Sequence, residues 1–196
     1  MRILRGIAKT YWFFSRWDYK SEPAPKGSGI LVAAPHTSNW DFVLMLAVAW
    51  RSGFRPYFLG KKELFRGPAG PIMRMFGGIA VDRQNPAGLV DELVSRANSG
   101  EVFQLVIPPE GTRKKVDRWK SGFYRLAMGT DLPVTMAYCD RTTMTSGLGP
   151  TLNLTGNVKA DMDLFREYYA DKAGVRPEKR CDPVLVDETG MPPLGS

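Results

Sequence analysis

The sequence is poorest in the residues that most often hold metals and crosslinks: its 196 positions contain one histidine, His36, and two cysteines, Cys139 and Cys181. The cysteines stand in no C-x-x-C or zinc-like spacing, so neither a disulfide framework nor a structural metal site is expected to organise the chain. Such sparing cysteine use suits a reducing cytosol. Long apolar runs are also missing. The longest, Phe42 to Trp50, falls far short of the roughly 20 residues that span a bilayer, and no membrane crossing is expected. At the N-terminus Arg5, Lys9 and Arg16 interrupt the apolar stretch that a signal peptide needs. Without an export signal, the sequon Asn153-Leu154-Thr155 is not expected to carry a glycan. No G-x-x-x-x-G-K-[ST] run occurs, and Gly27-x-Gly29 precedes a strand where a dinucleotide fingerprint follows one. NAD and ATP are therefore not expected as cofactors.

What is present describes an ordinary folded chain with a basic bias. Hydrophobic residues at 43% and charged residues at 24% exclude wholly disordered, collagen-like and coiled-coil chains. The length favours one domain with terminal extensions. The net charge of +7 favours an anionic partner, whether phosphorylated small molecules, phospholipid headgroups or nucleic acid. Against nucleic acid, the aromatic residues cluster at the N-terminus and no nucleic-acid module pattern occurs.

Residues 1–26 read as an amphipathic helix and a linker. Arg2, Arg5, Lys9, Arg16 and Lys20 face a single acid, Asp18, while Ile3, Leu4, Ile7, Tyr11, Phe14 and Trp17 recur at helical spacing. The segment fits two roles: an interfacial helix with Trp12, Phe13, Trp17 and Tyr19 at headgroup level, or a helix whose apolar stripe packs on its own domain. Over 27–174 strands and helices alternate. Strands are predicted at 30–34, 56–59, 78–82, 102–107, 134–138 and 151–158. Helices are predicted at 41–51, 62–76, 86–98, 120–128 and 161–173, the last ending at Gly174. This alternation predicts an α/β domain, a central mixed and mostly parallel sheet flanked by helices. Residues 175–196, proline-rich and aperiodic, read as a poorly ordered tail.

Candidate chemistry gathers at strand ends, where open α/β sheets bind their ligands. His36 follows the first apolar strand and opens His36-Thr37-Ser38-Asn39-Trp40-Asp41, an H-x-x-x-x-D run. Ser38-x-x-Asp41 also fits a helix capping box. After the strand at 102–107 comes Pro109-Glu110-Gly111-Thr112-Arg113, and after the short strand at 78–82 comes Arg83.

Together these segments resemble the glycerolipid acyltransferases related to 1-acylglycerol-3-phosphate acyltransferase. His36 to Asp41 matches the family's H-x-x-x-x-D. Gly77-x-Ile79-x-Val81-x-Arg83 matches G-x-[IF]-x-[IV]-x-R, Pro109 to Arg113 matches P-E-G-T-R, and Leu132-Pro133-Val134 matches the start of the fourth motif. The resemblance covers roughly residues 28–140. Pro108 stands where the family usually has Phe, and Met136 where the fourth motif ends in Pro.

The resemblance implies a glycerol-3-phosphate acyltransferase-like fold. It also implies transfer of a fatty acyl chain from acyl-CoA or acyl carrier protein to a hydroxyl of a phosphorylated glycerol lipid, with no cofactor and no metal. An alcohol needs a base to attack a thioester at neutral pH, and His36 is the one imidazole available. The resemblance assigns Asp41 the task of orienting it. Arg83 and Arg113 are implied as phosphate anchors, suited by the planar guanidinium fork. Glu110 is expected to bond the acceptor's glycerol or hold an arginine, Gly111 to allow close backbone approach, and Thr112 to offer a hydroxyl. Lys61, Lys62, Lys114, Lys115, Arg118 and Lys120 form either an anion-attracting surface or a solvated face. Met73, Met75 and Phe76 line either an acyl groove or the core. The implied setting is the cytoplasmic face of an anionic membrane, peripherally bound. Two other functions fit the same residues: O-acyl transfer to another polyol or headgroup, and a basic lipid-surface or nucleic-acid-binding module without turnover.

Overall fold

The computed structural model describes residues 1–81 and 101–188. Among them the strands are β1 (Asp18–Tyr19), β2 (Gly29–Ala34), β3 (Pro56–Lys61), β4 (Gly78–Val81), β5 (Gln104–Ile107), β6 (Val134–Asp140) and β7 (Thr145–Leu152). They form one sheet in the order β1-β7-β6-β2-β5-β3-β4. All neighbours run parallel except β6 and β7, which are antiparallel. The helices are α1 (Arg2–Phe14), α2 (Trp40–Ser52), α3 (Ala69–Met75), α4 (Gly122–Thr130) and α5 (Val158–Tyr169). The mixed, mostly parallel α/β sheet is the architecture the sequence predicts.

Strand alternation divides the side chains between two faces. On one, Ile30, Val32 and Leu105 join Phe123, Leu126, Met162, Phe165 and Tyr169 from α4 and α5, with Trp119 among them, in a close-packed and largely aromatic core. On the other, Leu31, Val106 and Leu148 share a smaller cluster with Val48 of α2 and, at its margin, Trp12, Met45, Phe54 and Phe58. The α1 helix lies on α2, so it packs on its own domain along one side. Ala8 is buried and Trp12 donates its indole N–H to the Ala47 carbonyl at 3.2 Å, while Ile3, Ile7, Phe13 and Phe14 stay exposed.

Several boundaries differ from those predicted. The last strand covers Thr145–Leu152, not 151–158. Gly147, Gly149 and Pro150 give its first half the look of a loop, yet the antiparallel ladder with β6 holds it. Glycine is needed at 147 because a Cβ there would collide with the Lys20 carbonyl. The predicted helix over 62–76 is split into a 3-10 turn at Lys62–Phe65 and α3, with Gly67 and Pro68 at the break. The α5 helix starts earlier than 161 because Asn157 caps it, its side chain accepting the Ala160 N–H.

The tail assignment is corrected over 175–188. Although aperiodic, this strap is fastened to Trp119: the Trp119 N–H donates to Val184 O at 2.8 Å, and the Val186 N–H to Trp119 O at 2.9 Å. Leu185 and Cys181 are buried in the main core. Periodicity fails here because the segment is ordered by contacts distant in sequence, not by an element of its own. The predicted helix at 86–98 and Arg83 lie outside the described residues.

Candidate active site

The site forms where β2, β5 and β6 end. The central strand β2 is paired on both sides, with β5 and with β6, so its carboxyl end is held in fixed register. The chain then turns through Pro35, joined to Ala34 by a cis peptide bond, and presents His36. Four backbone steps later α2 begins, and Asp41 in its first turn folds back over the loop. Its Oδ2 accepts the Thr37 and Ser38 N–H groups at 2.6 and 2.7 Å and lies 3.1 Å from His36 Nδ1. One carboxylate therefore ties down the loop that leads into α2 and meets the imidazole of that loop. The pair is not exposed, with 21% of the His36 side chain and 9% of the Asp41 side chain accessible.

Three further segments hold this loop. From β5, Glu110 reaches beneath it, where Oε1 accepts the His36 N–H at 3.0 Å. Burial pushes the Glu110 carboxyl up to about 7, against the lowering effect of that N–H bond. From β6, Cys139 directs its thiol toward Asp41 Oδ1 and Pro35 O at 3.8 and 3.7 Å. Burial and the nearby Asp41 carboxylate raise the Cys139 pKa well above the thiol range, keeping it a donor. From the strap, the Arg176 N–H donates to Thr37 Oγ1 at 2.9 Å. Gly174, with φ +74°, lies so close to Pro35 and Thr37 that a Cβ would press on both.

The Glu110 expectation is corrected. The carboxyl is 3% exposed and bonds the main chain of His36, because the turn after β5 directs it inward, away from any arginine or open space. Thr112 accepts the Lys114 N–H at 3.3 Å within its turn. Gly111 adopts φ +66° beneath the Lys120 side chain, whose Cε a Cβ would meet at 3.0 Å, so that position calls for the glycine found there. Arg113 and Lys120 are exposed, whereas Arg118 donates to the Leu185 carbonyl at 3.3 Å.

His36, Asp41, Gly111, Arg113 and Lys120 all border one open cavity of about 1260 Å³. Ligand pockets usually measure about 300–1,000 Å³, so this one is large. From the His36 loop it runs between α2 and the sheet, over Leu31, Met45, Val48, Phe58, Val106 and Leu148. Its walls are apolar and its polar groups gather at one end. Met73 borders it, while Met75 is exposed and Phe76 packs at a tilt against Trp50. Among the described residues, no three His, Cys, Asp or Glu side chains are placed to hold a metal ion.

Cys139, Gly174 and Arg176 escape sequence reasoning. For Cys139 a signal exists, since it follows the predicted strand 134–138 and so sits at a strand's carboxyl end beside the one that delivers His36. For Gly174 and Arg176 no local pattern gives any.

The chain is 34% identical over 105 residues to a coconut (Cocos nucifera) protein named 1-acyl-sn-glycerol-3-phosphate acyltransferase, a match covering 50% of this chain and 33% of that one. Its fold is similar to that of PlsC, the 1-acyl-sn-glycerophosphate acyltransferase of Thermotoga maritima. The TM-score is 0.56 at 19% identity, over 78% of this chain and 68% of that one. The acyltransferase family model matches residues 17–139, well over half the chain, a range that takes in the His36 loop, the turn after β5 and β6 as far as Cys139, and the chain belongs to the acyltransferase family.

Proposed function

We propose that the protein transfers a fatty acyl chain from a thioester, acyl-CoA or acyl carrier protein, to a hydroxyl of a phosphorylated glycerol lipid of the 1-acylglycerol-3-phosphate type. The observation that carries this reading is the His36 and Asp41 pair at the polar end of an apolar cavity. Asp41 accepts from Nδ1, which leaves the Nε2 lone pair to take a proton. The acceptor hydroxyl gives its proton to Nε2 as its oxygen attacks the thioester carbonyl carbon. The tetrahedral intermediate then collapses, the carbon–sulfur bond breaks, and the imidazolium returns the proton to the departing thiolate. The protein is left unchanged, and no acyl-enzyme is required.

The apolar walls suit the fatty chain, and Arg113 at the rim suits a phosphate. A lipid acceptor resides in a bilayer, and among the described residues no helix is long and apolar enough to cross one. The exposed stripe of Ile3, Ile7 and Phe14, with Phe13 and the basic Arg2 and Lys9 on the same helix and Arg16 just past its end, suits docking on the anionic cytoplasmic face of a membrane.

The test is acyl transfer from radiolabelled thioesters to a panel of lipid and polyol acceptors. His36→Ala is expected to lower turnover by about 100 to 10,000-fold without moving the melting temperature. Asp41→Asn, whose amide oxygen can still accept the Thr37 and Ser38 N–H groups, is expected to be severely impaired. Undiminished transfer in a folded His36→Ala protein sinks the reading, and a preference for phosphate-free polyols replaces the acceptor.

A further inference from the structure

Bordering the cavity lies an ion pair that the reaction above does not use. Arg125, in the first half of α4, holds Asp187 of the strap, Nη2 to Oδ2 at 2.5 Å. Both side chains border the cavity that His36, Arg113 and Lys120 also border. The strap delivers Asp187 to this place. Its backbone bonds to Trp119, one residue before Lys120, fix Val184 and Val186 on the segment that follows the Arg113 turn. Hydrogen bonds from Arg125 and Ser121 hold the Asp187 carboxyl below the usual range, although burial opposes them. An anion therefore already occupies a cationic rim, and the protein itself supplies it.

The pair is open to solvent on one side, with 49% of the Arg125 and 33% of the Asp187 side chain accessible, and ion pairs so near solvent contribute little net stability. A guanidinium takes phosphate in the same planar fork that takes carboxylate. A phosphomonoester brings more charge and a third acceptor oxygen than a carboxylate does. Exchange of one anion for the other thus keeps the geometry of Arg125 and strengthens its contact.

Resting on the acyl-transfer reading, we propose that Arg125 is a phosphate-binding residue of the substrate site, and that Asp187 holds its place in the free enzyme as a built-in competitor that substrate phosphate displaces. The phosphate belongs either to the acceptor's phosphomonoester or to the nucleotide of an acyl-CoA donor.

Steady-state kinetics on the wild type, Arg125→Gln, Arg125→Lys and Asp187→Asn distinguish the sources. The acceptors are 1-acylglycerol 3-phosphate and 1-acylglycerol, and the donors are acyl-CoA and the acyl thioester of N-acetylcysteamine, which carries no phosphate. Arg125→Gln is expected to raise KM for the phosphate-bearing partner about tenfold with kcat nearly unchanged, Arg125→Lys less. Asp187→Asn is expected to lower the same KM several-fold. The KM for the phosphate-free counterpart stays put. Calorimetric titration of the free protein with glycerol 3-phosphate and with CoA gives the same ranking without turnover, so an inactive chain would defeat the acyl-transfer reading and still leave this proposal measurable. An Arg125→Gln protein that melts normally and keeps every KM and both affinities overturns it. So does an Asp187→Asn protein that weakens phosphate binding as Arg125→Gln does, which would make the pair a structural clamp.

Discussion

The two faces of the sheet are made by alternate residues of the same strands, yet one is filled and the other hollow. On the α4 and α5 side Trp119, Phe123, Phe165 and Tyr169 lie within 5.5–6.3 Å of one another, ring to ring, in four of their pairings. On the α2 side, Leu31, Val106 and Leu148 look onto a cavity of about 1260 Å³. Dense aromatic packing on the first face carries stability, which frees the second to leave space unfilled. The division also explains why the loop after β2 is positioned so closely: β2 belongs to both faces, so the filled one holds the strand while the hollow one borders the cavity.

Mutations that respect the division are expected to separate stability from activity. The largest effect belongs to the filled face: Phe165→Ala, at a fully buried position, is expected to cost about 3–5 kcal/mol in denaturant unfolding. The surviving folded molecules should keep their turnover. A loss under about 1 kcal/mol erases the contrast between the faces.

Next comes Glu110, which lies where the two regions meet. Its carboxyl is raised from 4.5 to about 7 by burial. Between those pH values the folded chain holds a proton that the unfolded chain has released. The protonated carboxyl therefore stabilises the fold fully below about 4.5, and that stability is lost as pH rises through about 7, by on the order of 3 kcal/mol. Glu110→Gln, which still accepts the His36 N–H, is expected to flatten this decline in urea midpoints measured from pH 4.5 to 8. An unchanged slope removes Glu110 as its source.

On the hollow face, Val48→Phe should behave unlike an ordinary overpacked core. Enlarging a filled core costs about 1–3 kcal/mol, whereas here the cavity has room, so the expected change is below about 1 kcal/mol. The readout is chain-length preference, shifted toward shorter acyl thioesters. The smallest effect on the fold is expected from Ile3→Ser with Ile7→Ser and Phe14→Ser, all exposed on α1. Melting should hold while sedimentation with anionic vesicles drops. A collapsed melt would assign the stripe to packing, and unaltered sedimentation in a folded protein would move the docking surface elsewhere.

Much of the fold is legible in the sequence, because burial on a strand or helix leaves a period: β2, α2, β5 and β6 fall within two residues of their predicted bounds at both ends. The pairing of His36 with Asp41 is legible because it is local, five residues apart across one turn. The hollow is not, since space between α2 and the sheet is set by how far two elements stand apart, and no residue names it. Glu110 shows a third case. Its motif marks the position, but only the course of the turn after β5 decides that the carboxyl meets the backbone of His36 and not a ligand. The strap over 175–188 escaped because its order comes from Trp119, some sixty residues away.

That strap has a consequence for how the protein is made. The loop carrying His36 emerges from the ribosome early, but the contacts of Gly174 and Arg176 with Pro35 and Thr37 require about 140 further residues to be synthesised. A nascent chain with every family motif already translated still lacks the last supports of its imidazole. His36 is thus among the first residues built, and its loop is among the last parts of the chain to gain all of its supports, since those from Gly174 and Arg176 arrive only after the final strand has been made.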